Sequence, residues 1–411
     1  MRKRFAVLLI AAAAFLWNAL FVPAADKHPF AFADSAALRS AHAIAITADG
    51  ERILYEVNFG GLKGPTKQEW YLVGADGAKA CPLVLPDGFN PSGFMKDGEA
   101  LYGLLEVERK NQLAIVPLAT GKPTVIIALP SGIRSVAISP DGSRFSLLAD
   151  PRPADPLAEA RTVVENRQTS LYVVNSDGSS GSWWCPEIKH VAYTAWSPDG
   201  SQIAVLSQTP KIGYHSIRSF IDVCNASGVR RVGEIPNMAQ YLAWTADGRE
   251  LAFVATTTRV GTPDHVWTVP AGGGSAADRT PNLVGTAMLL CGDPQGHVWV
   301  FVTRGVGVEI DSFRDGALAA AYRWPGGIFT GLPVFSPFSN ARERYVFNVE
   351  DPEHTENVAV VRDGRLVKIT REGDEHMASI SLGAVRVVEW TTNDGTKLQG
   401  LANFPAGYEE G

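Results

Sequence analysis

The sequence predicts an all-β fold: a seven-bladed β-propeller of four-stranded blades. Its composition combines 40 Gly and 26 Pro with 19% charged residues in a chain of 411, which favours many short strands joined by turns. A turn motif built on Asp-Gly recurs along the chain, and each clear copy precedes a segment of alternating apolar residues. Recurrence every ~40–50 residues is typical of propeller blades.

The N-terminal segment has the pattern of a secretory signal peptide. A basic stretch at residues 2–4 precedes an apolar run at residues 5–22, and Val22-Pro23-Ala24 offers small residues for cleavage. We therefore expect residues 1–24 to be removed and the mature protein to be secreted or periplasmic. The alternative is an uncleaved anchor helix, because the run is near the lower limit for spanning a bilayer. Only in that case would the protein be attached to a membrane.

Four copies of the turn motif are clear. Each has an apolar or aromatic residue, Ser or Thr, Pro or Ala, Asp-Gly, and then an alternating strand. They are ITADGERILYEV from Ile46, ISPDGSRFSLLA from Ile138, WSPDGSQIAVLS from Trp196 and WTADGRELAFVA from Trp244. Glycine supplies the positive φ of a tight turn between antiparallel strands. Because Trp196 and Trp244 occupy the same repeat position, we expect both to pack within their blades.

Weaker copies of the motif complete the series. They begin at Gly93, Cys291 and Val334. The turn glycines at positions 50, 98, 142, 200, 248 and 296 are separated, by subtraction, by 48, 44, 58, 48 and 48 residues. A second hairpin lies between copies, as in segments 70–84, 171–184 and 266–280, so each repeat supplies four strands.

These repeats set the expected limits of the propeller. With the degenerate copy near Ser336, seven blades are expected between about Ala41 and Ile369. The long step contains Asp150–Gln168, whose Pro and charged residues are too polar for a blade strand. We expect this segment to be a loop insertion with a short helix from Leu157 to Glu165.

The C-terminal stretch VRVVEWTTNDGTKLQGLANFPAGYEEG predicts one further hairpin outside the seven repeats. Val388 and Trp390 alternate with polar residues, Asn393-Asp394-Gly395 forms a turn, and a second alternating segment ends before Pro405.

Two stretches resemble the prolyl oligopeptidase family. The lead-in FADSAALRSAHAIAITADGERILYEV, from Phe32, is similar to the segment before the propeller in its acylaminoacyl-peptidase and dipeptidyl-peptidase-like branches, where a short helix precedes the first blade. The C-terminal stretch resembles the join at which that family enters its α/β-hydrolase domain. The resemblance therefore implies a propeller at residues 25–378 and the start of a truncated α/β-hydrolase (peptidase) domain at 379–411. The blade pattern alone also resembles TolB-like propellers, which indicates a fold and no chemistry.

The resemblance implies the substrate-gating propeller portion of an exported serine peptidase acting on peptides. In complete relatives a Gly-x-Ser-x-Gly nucleophile elbow, an Asp and a His follow the join. No Gly-x-Ser-x-Gly occurs in this sequence, and GSSGS at Gly178 has the wrong spacing within a predicted hairpin turn. We therefore assign no catalytic residue and expect this chain alone to be inactive. The alternative is a free-standing periplasmic TolB-like propeller that binds a protein or ligand.

Other chemically suggestive segments are interpreted as structural. The eight histidines show no HxH or HExxH spacing, so no metal site is assigned. EGDEH at Glu372–His376 follows the last repeat, which favours a solvated linker. PAGGGSAAD from Pro270 lacks the Lys-Ser/Thr ending of a phosphate loop, so no cofactor is assigned. Trp183-Trp184 follow a turn and are either core residues or an exposed ligand platform.

Charge and cysteine content restrict the remaining classes of function. The formal charge is −6 without a Lys/Arg cluster, which argues against nucleic acid as a partner. The cysteines Cys81, Cys185, Cys224 and Cys291 show no CxxC spacing. We expect all four to be free, buried thiols.

Overall fold

The computed structural model describes residues 27–60, 66–151, 168–209, 217–256, 263–338 and 344–408. Within them the chain forms seven four-stranded antiparallel sheets, which confirms the predicted seven-bladed propeller. The expected signal peptide (residues 1–24) and the helix expected at residues 157–165 lie outside the described residues.

A short lead-in precedes the blades. It contains strand β1 (His28–Pro29) and helix α1 (Asp34–Ala37), which confirms the expected short helix before the first blade. Each blade then consists of four consecutive strands paired in chain order, and the first strands of several neighbouring blades contact each other. The strands of blades 1 to 3 are β2 Arg39–Ile46, β3 Arg52–Gly60, β4 Thr66–Gly74, β5 Cys81–Leu83; β6 Phe89–Phe94, β7 Ala100–Val107, β8 Lys110–Pro117, β9 Thr124–Ile127; β10 Ile133–Ile138, β11 Arg144–Ala149, β12 Ser170–Asn175 and β13 Ser182–Trp184.

Blades 4 to 7 follow the same plan. Their strands are β14 Val191–Trp196, β15 Ile203–Gln208, β16 Ser219–Asn225, β17 Gly228–Ile235; β18 Ala239–Trp244, β19 Glu250–Thr256, β20 Asp264–Pro270, β21 Ala277–Asp278; β22 Thr286–Gly292, β23 Val298–Arg304, β24 Gly307–Arg314, β25 Ala317–Arg323; β26 Ile328–Phe329, β27 Val346–Asp351, β28 His354–Arg362 and β29 Arg365–Lys368. The chain continues through helix α2 (Asp374–Ala378), β30 (Ile380–Ser381) and the terminal hairpin of β31 (Val385–Thr391) and β32 (Lys397–Asn403).

The repeated turn is stabilised by its own side chains. In blade 4 the Ser197 hydroxyl donates to Asp199 Oδ1 at 2.6 Å and accepts the backbone N–H of Gln202 at 3.0 Å. Asp199 also accepts the N–H of Ser201 at 3.0 Å, and Gly200 has φ 70°. The same contacts recur in blades 1, 3 and 5, around Thr47–Asp49, Ser139–Asp141 and Thr245–Asp247. The Ser/Thr–x–Asp–Gly pattern is therefore a hydrogen-bonding unit.

Hydrophobic packing lies between the blades. Seven clusters of buried residues occupy the described part of the chain, one at each boundary between neighbouring blades. Arginines add contacts between turns by donating to a turn glycine carbonyl of the next blade: Arg52 to Gly98 (2.8 Å), Arg144 to Gly200 (2.6 Å) and Arg344 to Gly50 (3.0 Å). Because every strand of blades 1 and 7 pairs only within its own sheet, side chains close the ring.

Candidate functional site

The two chain segments that flank the propeller meet on one face. β1 pairs in parallel with β30, and the N–H of His28 donates to the carbonyl of Ser379 at 3.0 Å. The His376 ring lies 3.1 Å from Asp34 Oδ1, and Ile380 is buried. We call this contact the linker clamp, and the side of the propeller at which β2 begins the linker face. The clamp holds the incoming and outgoing segments together at the seam between blades 1 and 7.

Arg39, the first residue of β2, ties this face to the outgoing segment. Its guanidinium bonds Glu372 at 2.8 Å and Glu69 at 3.0 Å, and lies 4.5 Å from the centre of the Phe59 ring. Burial lowers the pKa of Arg39, but the hydrogen bonds that its guanidinium donates to Glu372 and Glu69 outweigh burial and raise the pKa overall. The Thr355 hydroxyl lies 2.6 Å from the Arg39 carbonyl oxygen.

His42 bridges blades 1 and 7. Its Nδ1 lies 2.7 Å from Glu356 Oε1, and the hydroxyl of Thr330 donates to the same oxygen at 2.5 Å. The hydrogen bond with Glu356 raises the pKa of His42, burial opposes this, and the charge of Glu56 adds to the increase. Nearby, the N–H of Ala43 donates to the Asn348 side chain at 2.8 Å. The ring seam is thus polar at the linker face.

A cavity of about 440 Å³ opens on the linker face where blade 4 meets the connection from blade 3. It is lined by both charged and apolar groups: Glu187, Ile188, Lys189, His190, Ser207, Gln208, Thr209, Phe220, Asp222, Val229 and Arg231. His190 directly precedes β14 and Gln208 ends β15, which places the cavity at the linker-face ends of these strands.

The carboxylate of Asp222 is the most buried charged group of this cavity, 1% exposed. Arg231 Nε donates to its Oδ1 at 2.6 Å, while the buried Oδ2 has no hydrogen-bonding partner among the described residues. Burial raises the pKa of Asp222; the hydrogen bond from Arg231 opposes this, and the charge of Glu187 adds to the increase. The Arg231 guanidinium lies 4.5 Å from the centre of the Phe220 ring. The lining suits a polar ligand with charged groups, held by ion pairing and an apolar wall.

Another carboxylate–histidine pair lies at the boundary of blades 6 and 7. Asp293 Oδ2 accepts the Tyr345 hydroxyl at 2.7 Å and the Trp299 indole N–H at 3.1 Å, and lies 2.9 Å from His297 Nδ1. Asp293 takes the repeat position that Ser or Thr holds in other blades, and its Oδ1 accepts two backbone N–H groups of the turn. This network is buried and saturated, so it stabilises the turn.

No serine among the described residues donates to a histidine. The GSSGS segment covers the end of the β12–β13 connection and the first residue of β13, as expected for a hairpin turn. No group of three or more His, Cys, Asp or Glu in the described ranges is placed to hold a metal ion.

Solved structures share this fold. Pyrococcus horikoshii acylaminoacyl peptidase superposes with a TM-score of 0.66 at 13% identity, over 89% of this chain and 58% of that chain. A Mycobacterium tuberculosis puromycin-hydrolyzing peptidase gives 0.64 at 14% identity, over 92% and 61%. The β-propeller domain of the Trilobed protease from Pyrococcus furiosus gives 0.60 at 12% identity, over 82% and 98%. No family model and no curated protein matches the sequence.

These matches establish the propeller fold. The chain spans about three fifths of the two complete peptidases and aligns with almost all of the isolated propeller domain. The predicted likeness to propellers of peptidases is therefore confirmed at the level of the fold.

The terminal hairpin differs from the blades in exposure. β31 and β32 pair only with each other, and all seven residues of β31 are exposed. On one face, Val387 (54% exposed) lies opposite Leu401 (56%); on the other, Trp390 (48%) lies opposite Leu398. The predicted hairpin is thus confirmed, and both of its faces carry exposed apolar side chains.

The structure corrects the expectations for the cysteines and for the EGDEH segment. Cys81 is exposed, because β5 is the outer edge strand of blade 1; Cys185 and Cys224 are buried and Cys291 is half-buried. EGDEH is not a solvated linker: Gly373 starts helix α2, and Lys368 pairs with Asp374 at 3.0 Å.

The tryptophans singled out in the sequence pack mainly in the hydrophobic core. Trp184 is buried between blades 3 and 4, and Trp183 is half-buried with its ring centre 5.1 Å from that of Tyr172, so the pair does not form an exposed platform. Trp244 is buried and Trp196 packs against the blade 3–4 cluster, as expected. No helix in the described segments is both long and apolar enough for a membrane span.

Proposed function

We propose that this chain is the propeller portion of an exported serine peptidase of the prolyl oligopeptidase type, which acts on peptides and carries its catalytic residues in an adjoining α/β-hydrolase domain. The observation that carries the proposal is the terminal hairpin. A hairpin with apolar side chains on both faces requires cover on both faces, which the inner strands of an α/β sheet receive from helices.

The position of the hairpin supports the same proposal. The hairpin leaves the propeller directly after the linker clamp, and the Gln399 side chain lies against Gly305, in the turn between β23 and β24. A domain that continues from β32 therefore starts beside the linker face. The charged groups around Arg39 and His42 and the cavity at Asp222 would face that domain.

We propose that the linker face restricts access to the peptidase centre. A propeller placed over an active site restricts the routes by which substrates enter, and the cavity at Asp222 offers polar and charged contacts for a short peptide. In the complete protein, Asp222→Asn should raise KM for charged peptides and leave kcat unchanged. An unchanged KM for every peptide tested would remove this cavity from the gating role.

The decisive test is the gene sequence beyond the codon for Gly411. A continuing frame that encodes Gly-x-Ser-x-Gly followed by Asp and His is the expected result. The complete product should then react with a fluorophosphonate at one serine, whereas the 411-residue chain should not react. An unrelated downstream sequence, or labelling of the 411-residue chain, would contradict the proposal; a protein partner captured by the hairpin would favour a binding propeller.

A paired substitution tests the role of the hairpin directly. Val387→Thr with Leu401→Thr should leave the unfolding of the 411-residue chain unchanged, because both side chains are exposed there. In the complete protein the same double substitution should lower stability by about 2–4 kcal/mol, since two hydroxyls would enter a packed interface. Equal, small effects in both proteins would mean that nothing covers the hairpin.

Export is the remaining part of the proposal and is supported by the N-terminal pattern. The basic start, apolar run and small residues of segment 1–24 are those of a cleaved signal peptide. N-terminal sequencing of the protein from its native cells should begin at Ala25. An intact N-terminus in the cytoplasmic fraction would contradict export.

A further inference from the structure

Cys185 and Cys224 are buried together across the boundary between blades 3 and 4. Cys185 directly follows β13, the last strand of blade 3, and Cys224 lies in β16, the third strand of blade 4. They are 6% and 0% exposed and belong to the same hydrophobic cluster. The Cys185 thiol lies close enough to the Cys224 thiol to raise its pKa.

The local backbone turns Cys185 toward blade 4. Its φ is 53°, in the left-handed region that residues with a side chain rarely adopt unless their surroundings hold them there. Cys185 Sγ lies 3.7 Å from the carbonyl oxygen of Gly228, the first residue of β17. The next residue, Val229, pairs with Cys224 in the blade 4 sheet. The sulfur of Cys185 therefore reaches the part of blade 4 that contains Cys224.

The other two cysteines have different surroundings. Cys81 is exposed on the edge strand of blade 1, and Cys291 packs at the boundary of blades 6 and 7. Neither belongs to the cluster that contains Cys185 and Cys224. The chain thus contains two internal control thiols.

We propose that Cys185 and Cys224 form a disulfide that joins blade 3 to blade 4 when the chain folds in the presence of a disulfide oxidant. The two S–H bonds break and one S–S bond forms. Two protons and two electrons pass to the oxidant; oxidised glutathione, for example, becomes two molecules of glutathione. The reaction proceeds by exchange through a mixed disulfide. This inference does not depend on the proposed peptidase function.

The burial of both thiols restricts the access of an oxidant to them in the folded protein. Contact with Cys185, burial, and the carboxylates of Asp222 and Glu187 raise the pKa of the Cys224 thiol. Because the thiolate is the attacking species, the folded, reduced protein reacts slowly. Oxidation is therefore expected while blades 3 and 4 assemble, and the bond is protected once the cluster has closed around it.

The test is refolding of the reduced, urea-unfolded chain in a buffer of reduced and oxidised glutathione, followed by alkylation of free thiols and peptide mapping by mass spectrometry. Peptides containing Cys185 and Cys224 should be linked, with Cys81 and Cys291 alkylated. Cys81→Ser should retain the link, and Cys185→Ser should abolish it. Free Cys185 and Cys224 in natively refolded protein, or equal linkage to Cys81, would overturn the proposal.

A second measurement needs no substitution and so avoids variants that fail to fold. The oxidised wild-type chain should unfold at a higher urea concentration than the same chain kept reduced, because the link constrains the unfolded state. A lower midpoint for the oxidised chain would show that the native blade boundary does not accommodate the bond, which would also overturn the proposal.

Discussion

The blades and the terminal hairpin contain the same turn in very different surroundings. In blade 4, Ser197 and Asp199 form the turn; in the hairpin, the hydroxyl of Thr392 donates to Asp394, whose Oδ1 accepts the N–H of Thr396 at 3.1 Å. The strand after the blade 4 turn is almost fully buried, whereas most of β32 is exposed. Local sequence therefore forms both hairpins, and neighbouring blades stabilise only one of them. A lone two-stranded hairpin is marginally stable in water.

Proteolysis should show the largest difference between the two regions. With a protease at low concentration, β31 and β32 should be cut at least about a thousand times faster than any blade, because the hairpin opens locally while a blade requires global unfolding. The linker clamp sets the expected boundary: Ile380 is buried, so the resistant product should end near Ser381. Mass spectrometry of the products measures this. First cuts within a blade would contradict the comparison.

Aromatic truncation compares the packing of the two regions. Phe347 is fully buried, with ring centres of Tyr322 and Phe329 at 4.9 and 5.4 Å. Phe347→Ala should lower the free energy of unfolding by about 3–5 kcal/mol. The matched variant is Phe404→Ala, beside the hairpin, where the ring stacks on Tyr408 and Arg386; it should cost less than about 0.5 kcal/mol. Urea unfolding of both variants is the measurement, and similar costs would show that the hairpin is packed like a blade.

The Ser/Thr–x–Asp–Gly turn occurs in both regions, so the loss of its hydroxyl can be compared between blade 4 and the terminal hairpin. Ser197→Ala removes a donor to Asp199 and an acceptor for Gln202, and should cost about 1–2 kcal/mol in blade unfolding. Thr392→Ala removes the matching donor to Asp394 in the hairpin and should leave blade unfolding unchanged. Thermal unfolding followed by circular dichroism distinguishes the two. A cost for Thr392→Ala equal to that of Ser197→Ala would mean that hairpin and blades unfold together.

The smallest expected effect is a pH dependence at the ring seam. The pKa of His42 is raised from 6.5 in the folded protein by its bond with Glu356, so the stabilisation is fully present below pH 6.5 and is lost as pH rises through the raised pKa. His42 is partly exposed, so the melting temperature should fall only slightly across this interval. His42→Gln should abolish this pH dependence while retaining a hydrogen-bonding side chain. An unaltered pH profile in the variant would assign the dependence to other groups.

Features formed by residues that are close in sequence and repeated could be predicted from the sequence. Contacts between residues that are far apart in the chain are seen only in the structure. The blade number follows from the four clear turn motifs and their three weaker copies at similar spacing, because a turn is stabilised by residues within five positions of one another. The linker clamp has no such signal: His28 and Ile380 are paired across almost the whole chain, and so are Arg39 and Glu372. Neither segment alone contains a pattern that predicts its partner.

The candidate site was missed by sequence analysis for a similar reason. Its cavity needs the connection before β14, the end of β15 and the face of β16 in one place. One signal was available in the segment SFIDVCN, where Asp222 interrupts an apolar strand and is therefore either paired or functional. Cys81 shows the opposite failure: its residue type predicts burial, but its position on an outer edge strand exposes it.

Closure of the ring by side chains should allow the chain to start and end at a different blade boundary. Blades 1 and 7 are joined by side chains such as those of His42 and Glu356, and in the described part of the chain no strand crosses between them. The N–H of His28 and the carbonyl of Ser379 are 3.0 Å apart, so a short peptide could connect the two segments. New termini placed in the connection between β25 and β26 would then leave seven complete blades. The propeller should tolerate such circular permutation, with the old seam becoming an ordinary blade boundary.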